Sequence, residues 1–178
     1  MNKISSKRLL QLKNRFKGKR IAIVGDMMLD IYFWGDVKRI SPEAPVPVLE
    51  VESEFYRFGG AANCALNINT LGGIAEPIGV IGYDNYGTIF NSLLNDQKIN
   101  RNGIIEDDSR PTTTKTRVIA DSQHIVRIDK ENKEVLNKTI QNKIFDYMKN
   151  LIKSLDGIIL QDYNKGVLTP SLIKNVIE

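Results

Sequence analysis

Short continuous apolar runs recur along the chain between stretches of helical spacing. The runs cover residues 21–24, 78–81 and 157–160, and a glycine or polar residue follows each of them. Apolar runs of this length are typical of strands buried on both faces, as in parallel sheets covered by helices. The pattern therefore predicts an α/β core with a mostly parallel central sheet.

Helical spacing between those runs predicts the covering helices. A first helix follows a serine cap at Ser5 or Ser6 and has one apolar face. Further helices are predicted across residues 61–68 and 88–94, and a long one begins near residue 140. A last helix follows Thr169, where a capping threonine precedes a proline in the first turn.

Two extended segments do not fit a parallel core. Three prolines exclude a helix across residues 40–48, and the valines around them predict an edge strand. Residues 112–119 are rich in β-branched side chains, and Asp121 with Ser122 predicts a tight turn before a return strand. We therefore expect a small β-strand lid, from segments of about 36–58 and 112–129, inserted in the α/β core.

Composition and charge exclude several classes of protein. Apolar residues make up 42% and charged residues 26% of the 178, which excludes a disordered chain. The 25 basic residues outnumber the 21 acidic ones without forming a long basic run, so no nucleic-acid partner is expected. No apolar stretch reaches the ~20 residues of a membrane-spanning helix, and the first residues lack the apolar core of a secretory signal. We expect a cytoplasmic protein with no membrane partner.

A single cysteine and a single histidine limit the available chemistry. Cys64 cannot form an internal disulfide, and with His124 alone a structural zinc site is excluded. Cys64 and Trp34 are interpreted as packing residues. The glycine fingerprints of dinucleotide-binding and P-loop proteins are both absent, which disfavours an oxidoreductase of the Rossmann type.

Polar residues that follow the predicted strands are the candidates for ligand binding. Asp26 and Asp30 follow the first apolar run, where ligands of open α/β sheets bind. In the alternative interpretation Asp26 caps the following turn and Asp30 is a surface residue. Asp162 and Lys165 follow the run at 157–160, and a polar loop with a glycine turn remains the alternative there.

Two other places could contact a polar ligand. Gly59 and Gly60 precede a helix whose first turn contains Asn63, an amide that can both donate to and accept from a hydroxyl. A plain turn into a helix is the alternative. Lys115 and Arg127 lie with Arg117 on the predicted hairpin and could meet a phosphate group, or simply form a charged sheet face.

Taken together, these segments resemble the ribokinase-like (PfkB) carbohydrate kinases. The most specific segment is the run Arg-Ile-Ser-Pro-Glu-Ala-Pro-Val-Pro-Val at 39–48, which resembles the heptose 7-phosphate kinase branch of that family. The other resembling segments lie in the family's order, at residues 24–30, 59–63, 79–84, 115–129 and 162–168.

The resemblance implies both a fold and an activity. The fold would be a three-layer sandwich with a mostly parallel central sheet and a small β lid. The activity would be ATP- and Mg²⁺-dependent transfer of a phosphoryl group to the anomeric O1 of D-glycero-D-manno-heptose 7-phosphate, a precursor step in lipopolysaccharide synthesis. The partners would be the sugar phosphate, ATP and a second copy of the chain, bound through the lid as a homodimer.

The resemblance also implies roles for particular residues. Sugar-binding residues would be Asp30, Arg39 and Asn63, and the glycines Gly59 and Gly60 would form the hinge of the lid beside the substrate. The remaining implied residues lie on the lid side of the substrate or near the reacting phosphates: Lys115, Gln123 and Arg127 on the lid side, and Asp162 and Lys165 near the phosphates.

The family's catalytic aspartate lies in a Gly-Ala-Gly-Asp motif, which does not occur before Glu178. We therefore expect the chain to be the N-terminal part of one kinase domain, with no catalytic base and no metal ligand assigned, and inactive alone. Two alternatives stay open. One is a non-catalytic module that binds a sugar phosphate and dimerises, and the other is a PfkB kinase for another sugar, such as ribose or fructose phosphate.

Overall fold

Two four-stranded sheets organise residues 4–177, the part of the chain that the computed structural model describes. The strands are β1 (Arg20–Gly25), β2 (Met27–Ile40), β3 (Pro47–Gly59), β4 (Ile74–Gly82), β5 (Ile104–Asp107), β6 (Thr114–Ala120), β7 (Gln123–Lys130) and β8 (Gly157–Gln161). The helices are α1 (Ser6–Phe16), α2 (Gly60–Thr70), α3 (Asn85–Asp96), α4 (Lys138–Leu151) and α5 (Pro170–Ile177), with one 3₁₀ turn at Ile152–Ser154.

The core sheet has the strand order β5-β4-β1-β8, and all its pairs are parallel. Alternate residues of β1 point to opposite faces because the side-chain period of a strand is two. Ile23 packs in a cluster with Phe90 of α3, whereas Val24 packs on the other face with Ile144 of α4. Helices therefore cover both faces, and the predicted three-layer α/β core is confirmed.

The second sheet has the strand order β3-β2-β6-β7. Strands β2 and β3 pair antiparallel, β2 and β6 parallel, and β6 and β7 antiparallel. The predicted edge strand is confirmed as β3, and the predicted hairpin as β6–β7. Asp121 and Ser122 form its turn with φ of 48° and 64°, a left-handed conformation typical of two-residue hairpin turns.

Two strands were missed by the sequence analysis. Strand β2 starts at Met27, so the second sheet includes residues well before the expected start of the lid near residue 36. Large side chains occupy both faces of its first half, so the sequence has no clean alternation that would identify a strand. Strand β5 has only four residues, two of them acidic, which is too short and polar to predict.

Predicted caps are present at both ends of the described chain. The hydroxyl of Ser5 accepts a hydrogen bond from the N–H of Arg8 at 3.2 Å, and that of Thr169 accepts from the N–H of Leu172 at 3.1 Å. The predicted apolar face of α1 packs against nothing that buries it, since no residue of this helix is buried. Across residues 4–177, the helices are all too short or too polar to cross a lipid bilayer.

We expect Phe90→Ala to lower the free energy of unfolding by about 3–5 kcal/mol, because it empties a buried site between the two sheets. Phe90 is fully buried and meets the ring of Phe58 edge-on at 5.2 Å. Phe16→Ala is the matched control, because Phe16 is 45% exposed and its loss should cost less than about 1 kcal/mol. Urea denaturation followed by circular dichroism measures both, and equal losses would contradict this account of the core.

Candidate functional site

The core sheet passes into the second sheet at a single residue, Asp26. This side chain is only 2% exposed, and its Oδ2 accepts hydrogen bonds from the N–H groups of Tyr163 at 2.7 Å and Lys165 at 3.2 Å. Burial raises the pKa of Asp26, and the nearby Asp162 carboxylate adds to the effect. Asp26 therefore fixes the loop after β8, and it does not serve as a cap for the turn that follows it.

The glycine pair that begins α2 packs directly on this junction. The N–H of Ala61 donates to the backbone oxygen of Asp26 at 2.9 Å. Gly60 has a φ of +53°, and a Cβ there would overlap the same oxygen, so only glycine fits. Gly59 is extended, and a Cβ there would lie 3.2 Å from Oδ1 of Asp30. Glycine at position 59 therefore leaves room for the carboxylate of the candidate binding residue Asp30.

The face of the second sheet that carries Asp30 is organised in two rows, each crossing all four strands. We call them the charged row and the aromatic row. Strand register places four charged side chains in the charged row: Arg57, Asp30, Lys115 and Asp129. The next register positions give the aromatic row: Phe55, Tyr32, Arg117 and Arg127. Partners in a row are close because Cβ atoms of directly paired residues lie about 5 Å apart.

Ion pairs connect the two rows. Arg117 contacts Oδ1 of Asp30 at 2.9 Å, and its guanidinium lies 5.1 Å from the ring centre of Tyr32. Asp129 accepts from both Nε and Nη2 of Arg127, at 2.9 and 3.0 Å, and from Lys115 at 3.1 Å. The hydrogen bonds from Arg127, together with Lys115, hold the pKa of Asp129 below its ordinary value. Both carboxylates of this face are therefore paired and held in defined positions.

One carboxylate just beyond β7 connects the second sheet to the loop after β8. Glu131 lies 2.9 Å from the ammonium nitrogen of Lys165, 3.2 Å from that of Lys133 and 3.8 Å from that of Lys115. The hydrogen bond from Lys165 is the main reason that the pKa of Glu131 lies below its ordinary value. Of the predicted phosphate-side residues, Lys165 is thus already ion-paired with Glu131, and Asp162 is exposed and accepts from the N–H of Asn164 at 2.7 Å.

A cleft of about 540 Å³ opens between the second sheet and helices α2 and α3. Asp30 and Asn63 line it together, as do the aromatic side chains of Tyr32 and Phe55. A carboxylate accepts hydrogen bonds, and an amide both donates and accepts. The cleft can therefore bind a molecule with several hydroxyl groups against an aromatic wall.

The structure brings some of the predicted residues together and leaves others apart. Asp30 and Asn63 share the cleft, a side chain at Gly59 would crowd Asp30, and Lys115 is the register partner of Asp30. Arg39 is exposed and pairs with Val48, nine residues from Asp30 along β2, which is roughly 30 Å away.

Gln123 and Arg127 both lie on β7, every residue of which is exposed. Gln123 pairs with Ala120 beside the hairpin turn, away from the cleft. Contacts of Arg39, Gln123 and Arg127 with a substrate stay predictions, as does the hinge role of the two glycines.

Arg57 and the stacked rings of Tyr32 and Phe55 were missed by the sequence analysis. The ring centres lie 4.8 Å apart with the planes 8° from parallel. Arg57 comes two residues before Gly59, a spacing that places it on the same face of a strand. That spacing is the only signal in the sequence, and the pairing of β3 with β2 is needed to place Arg57 opposite Asp30.

The donor set for a metal ion is sparse. Asp26 and Asp162 supply carboxylate oxygens, which Mg²⁺ prefers, and Oδ1 of Asp26 is buried without a hydrogen-bond partner in the described part of the chain. Within residues 4–177, however, no three His, Cys, Asp or Glu side chains cluster in a way that could hold a metal ion. These residues do not assemble a Mg²⁺ centre by themselves.

The parallel core, the second sheet and the polar cleft between that sheet and helices α2 and α3 are together typical of the ribokinase-like class of α/β proteins. The chain belongs to the pfkB family of carbohydrate kinases, whose model matches residues 19–169. The predicted family and fold are therefore confirmed.

Within this family, the chain is similar to individual curated proteins. The chain is 47% identical over 159 residues to the bifunctional protein HldE of Helicobacter pylori strain HPAG1, and 44% identical over 155 residues to that of Geobacter sulfurreducens. These matches cover 89% and 87% of this chain but only 34% and 32% of the relatives. The chain thus spans about a third of the length of the curated relatives it matches.

Solved structures show the same fold at low identity. Phosphofructokinase-2 from Escherichia coli in complex with fructose-6-phosphate superposes with a TM-score of 0.62 at 16% identity, over 90% of this chain and 50% of that one. Ribokinase from Giardia lamblia gives a TM-score of 0.60 at 17% identity, over 89% of this chain and 50% of that one.

We expect Gly60→Ala to lower the free energy of unfolding by about 3 kcal/mol, because alanine is strained at this φ and overlaps the Asp26 oxygen. Gly59→Ala is the matched comparison: its extended backbone suits alanine, and the new Cβ would lie 3.2 Å from its nearest neighbours without overlapping them, so we expect a smaller loss of about 1 kcal/mol. Urea denaturation of both variants measures the difference. The account of this junction is wrong if Gly59→Ala costs as much as Gly60→Ala.

Proposed function

We propose that the chain supplies the sugar-binding part of a kinase that phosphorylates the anomeric O1 of D-glycero-D-manno-heptose 7-phosphate. The observation that carries the proposal is the 47% identity to bifunctional protein HldE over 89% of this chain. The 39–48 run, which resembles the heptose branch of the family, supports the same substrate. Kinases for ribose or fructose phosphate remain the alternatives that the assay below separates.

The cleft provides the chemistry for holding the acceptor sugar. Asp30 would accept hydrogen bonds from sugar hydroxyls, and Asn63 would exchange them in both directions. Arg117 acts through Asp30 as a positioning residue, because their 2.9 Å contact orients the carboxylate. Phosphoryl transfer depends mostly on positioning and charge stabilisation, so an acceptor held in one orientation is the main contribution expected from these residues.

ATP and Mg²⁺ are the proposed phosphoryl donor and cofactor, as membership of a kinase family implies. Asp162 and Lys165 are the proposed residues nearest to the reacting phosphates, because both lie in the loop after β8 at the carboxyl edge of the core sheet. Asp26 keeps that loop in place through its two backbone hydrogen bonds.

A homodimer through the second sheet also stays a proposal. Its support is the exposure of apolar side chains on β7, where Val126 is 48% and Ile128 is 55% exposed. Strands at the edge of a sheet that carry exposed apolar residues are candidates for contact with another chain.

We expect Asp30→Asn to lower kcat/KM for the heptose phosphate by tenfold or more, because a charge-assisted hydrogen bond to the sugar is lost and Arg117 loses its partner. The assay uses the full-length gene product with ATP and Mg²⁺, and ³¹P NMR detects the new anomeric phosphate. Asp146→Asn, an exposed position on the outer side of α4, is the matched control and should keep full activity.

Heptose 7-phosphate, fructose 6-phosphate and ribose are compared as acceptors in the same assay. Turnover of the heptose phosphate alone supports the proposal. Turnover of ribose or fructose 6-phosphate, with no turnover of the heptose phosphate, would reject the proposed substrate. The absence of turnover with all three acceptors would reject the proposed kinase activity.

A further inference from the structure

The two rows of the second sheet carry an excess of positive charge. Their cations are Arg57, Lys115, Arg117 and Arg127, and their only carboxylates are Asp30 and Asp129. Three of the four cations contact one of these carboxylates at 2.9–3.1 Å. Arg57 is the exception, since no carboxylate among residues 4–177 lies within ion-pair distance of it.

Arg57 is nevertheless held in place. Its guanidinium lies 5.4 Å from the ring centre of Phe55, and Phe55 stacks in turn on Tyr32. Contact with an aromatic face restrains an arginine without satisfying its N–H donors. The guanidinium therefore keeps its hydrogen-bonding capacity for another molecule while its position is already restricted.

The position of Arg57 relates it to the sugar-binding residues. It lines the same cleft as Asp30 and Asn63, and it is the direct cross-strand partner of Asp30. Paired Cβ atoms lie about 5 Å apart, and a long arginine side chain can reach beyond that distance. A molecule whose hydroxyls contact Asp30 can therefore also present an anionic group to Arg57.

We propose that Arg57 binds the phosphate that the acceptor sugar already carries, so that the cleft selects sugar phosphates over unphosphorylated sugars. The inference rests on the proposed function, since it names a determinant of substrate choice at the same site. A guanidinium matches phosphate oxygens with two parallel N–H donors, which makes the contact strong and directional.

The other cations are poorer candidates for this contact. Lys115 is shared by Asp129 and Glu131, Arg127 makes a two-point contact with Asp129, and Lys165 is bound to Glu131. A phosphate that used any of them would have to compete with a carboxylate. Arg57 has no such competitor, so its phosphate contact leaves the existing ion pairs intact.

Calorimetric titration of this chain with D-glycero-D-manno-heptose 7-phosphate, and with the same heptose lacking its phosphate, tests the proposal. We expect the phosphorylated sugar to bind at least about tenfold more tightly. Arg57→Gln should weaken binding of the phosphorylated sugar by about 10- to 100-fold and leave the other sugar unchanged. Arg57→Lys should restore part of the preference, because it keeps the charge but not the paired donors.

Arg101→Gln removes an exposed arginine outside the cleft and is the matched control, with no change expected for either sugar. Circular dichroism verifies that each variant is folded, which is expected because Arg57 is exposed. A titration with inorganic phosphate alone shows whether the anion binds without the sugar, and binding as tight as that of the sugar phosphate would overturn the role assigned here.

Two further outcomes separate this inference from the proposed function. If Arg57→Gln leaves the preference for the phosphorylated sugar intact, or weakens the binding of both sugars equally, Arg57 is not the phosphate contact. The proposed kinase function does not depend on that result, because the activity assay tests it separately. If the wild-type chain binds neither sugar, the cleft is not the acceptor site, and both proposals fail together.

Discussion

The hydrogen bonds of Asp26 hold together the four parts of the molecule that meet at the site. This one residue lies between β1 and β2, its backbone oxygen accepts from the start of α2, and its carboxylate accepts from the loop after β8. Burying a carboxylate is costly unless it is hydrogen-bonded. The positions of the cleft and of the Asp162–Lys165 loop relative to each other depend on these bonds being made.

A second constraint follows from the way β2 pairs on both of its edges. Because β3 and β6 are both in register with it, side chains that are distant in sequence form the charged row and the aromatic row. Each row therefore places residues from four strands in a fixed order across the sheet. Asp30 owes its environment to this order, since Arg57 lies on one side of it and Lys115 on the other.

The sequence was sufficient for the core and for part of the cleft. The apolar run of β1 predicts a buried strand by itself, and Asp30 and Asn63 stand out because they follow a strand and a glycine pair. Arg57 could not be found in this way, because its place opposite Asp30 depends on the pairing of β3 with β2, and the sequence did not predict strand β2. Nor could the pairing of Lys165 with Glu131, which joins two loops distant in sequence.

The contacts around Glu131 have a consequence for how this region tolerates sequence change. Three lysines, from three separate segments, converge on this single carboxylate. Losing one lysine leaves two others to hold the carboxylate, so each of them is individually replaceable. Losing the glutamate leaves Lys133 and Lys165 without a carboxylate and Lys115 with Asp129 alone, so three like charges lie close together with less compensation. The lysines can therefore be replaced one at a time, whereas the single glutamate cannot. We expect related proteins to vary more at the three lysine positions than at Glu131.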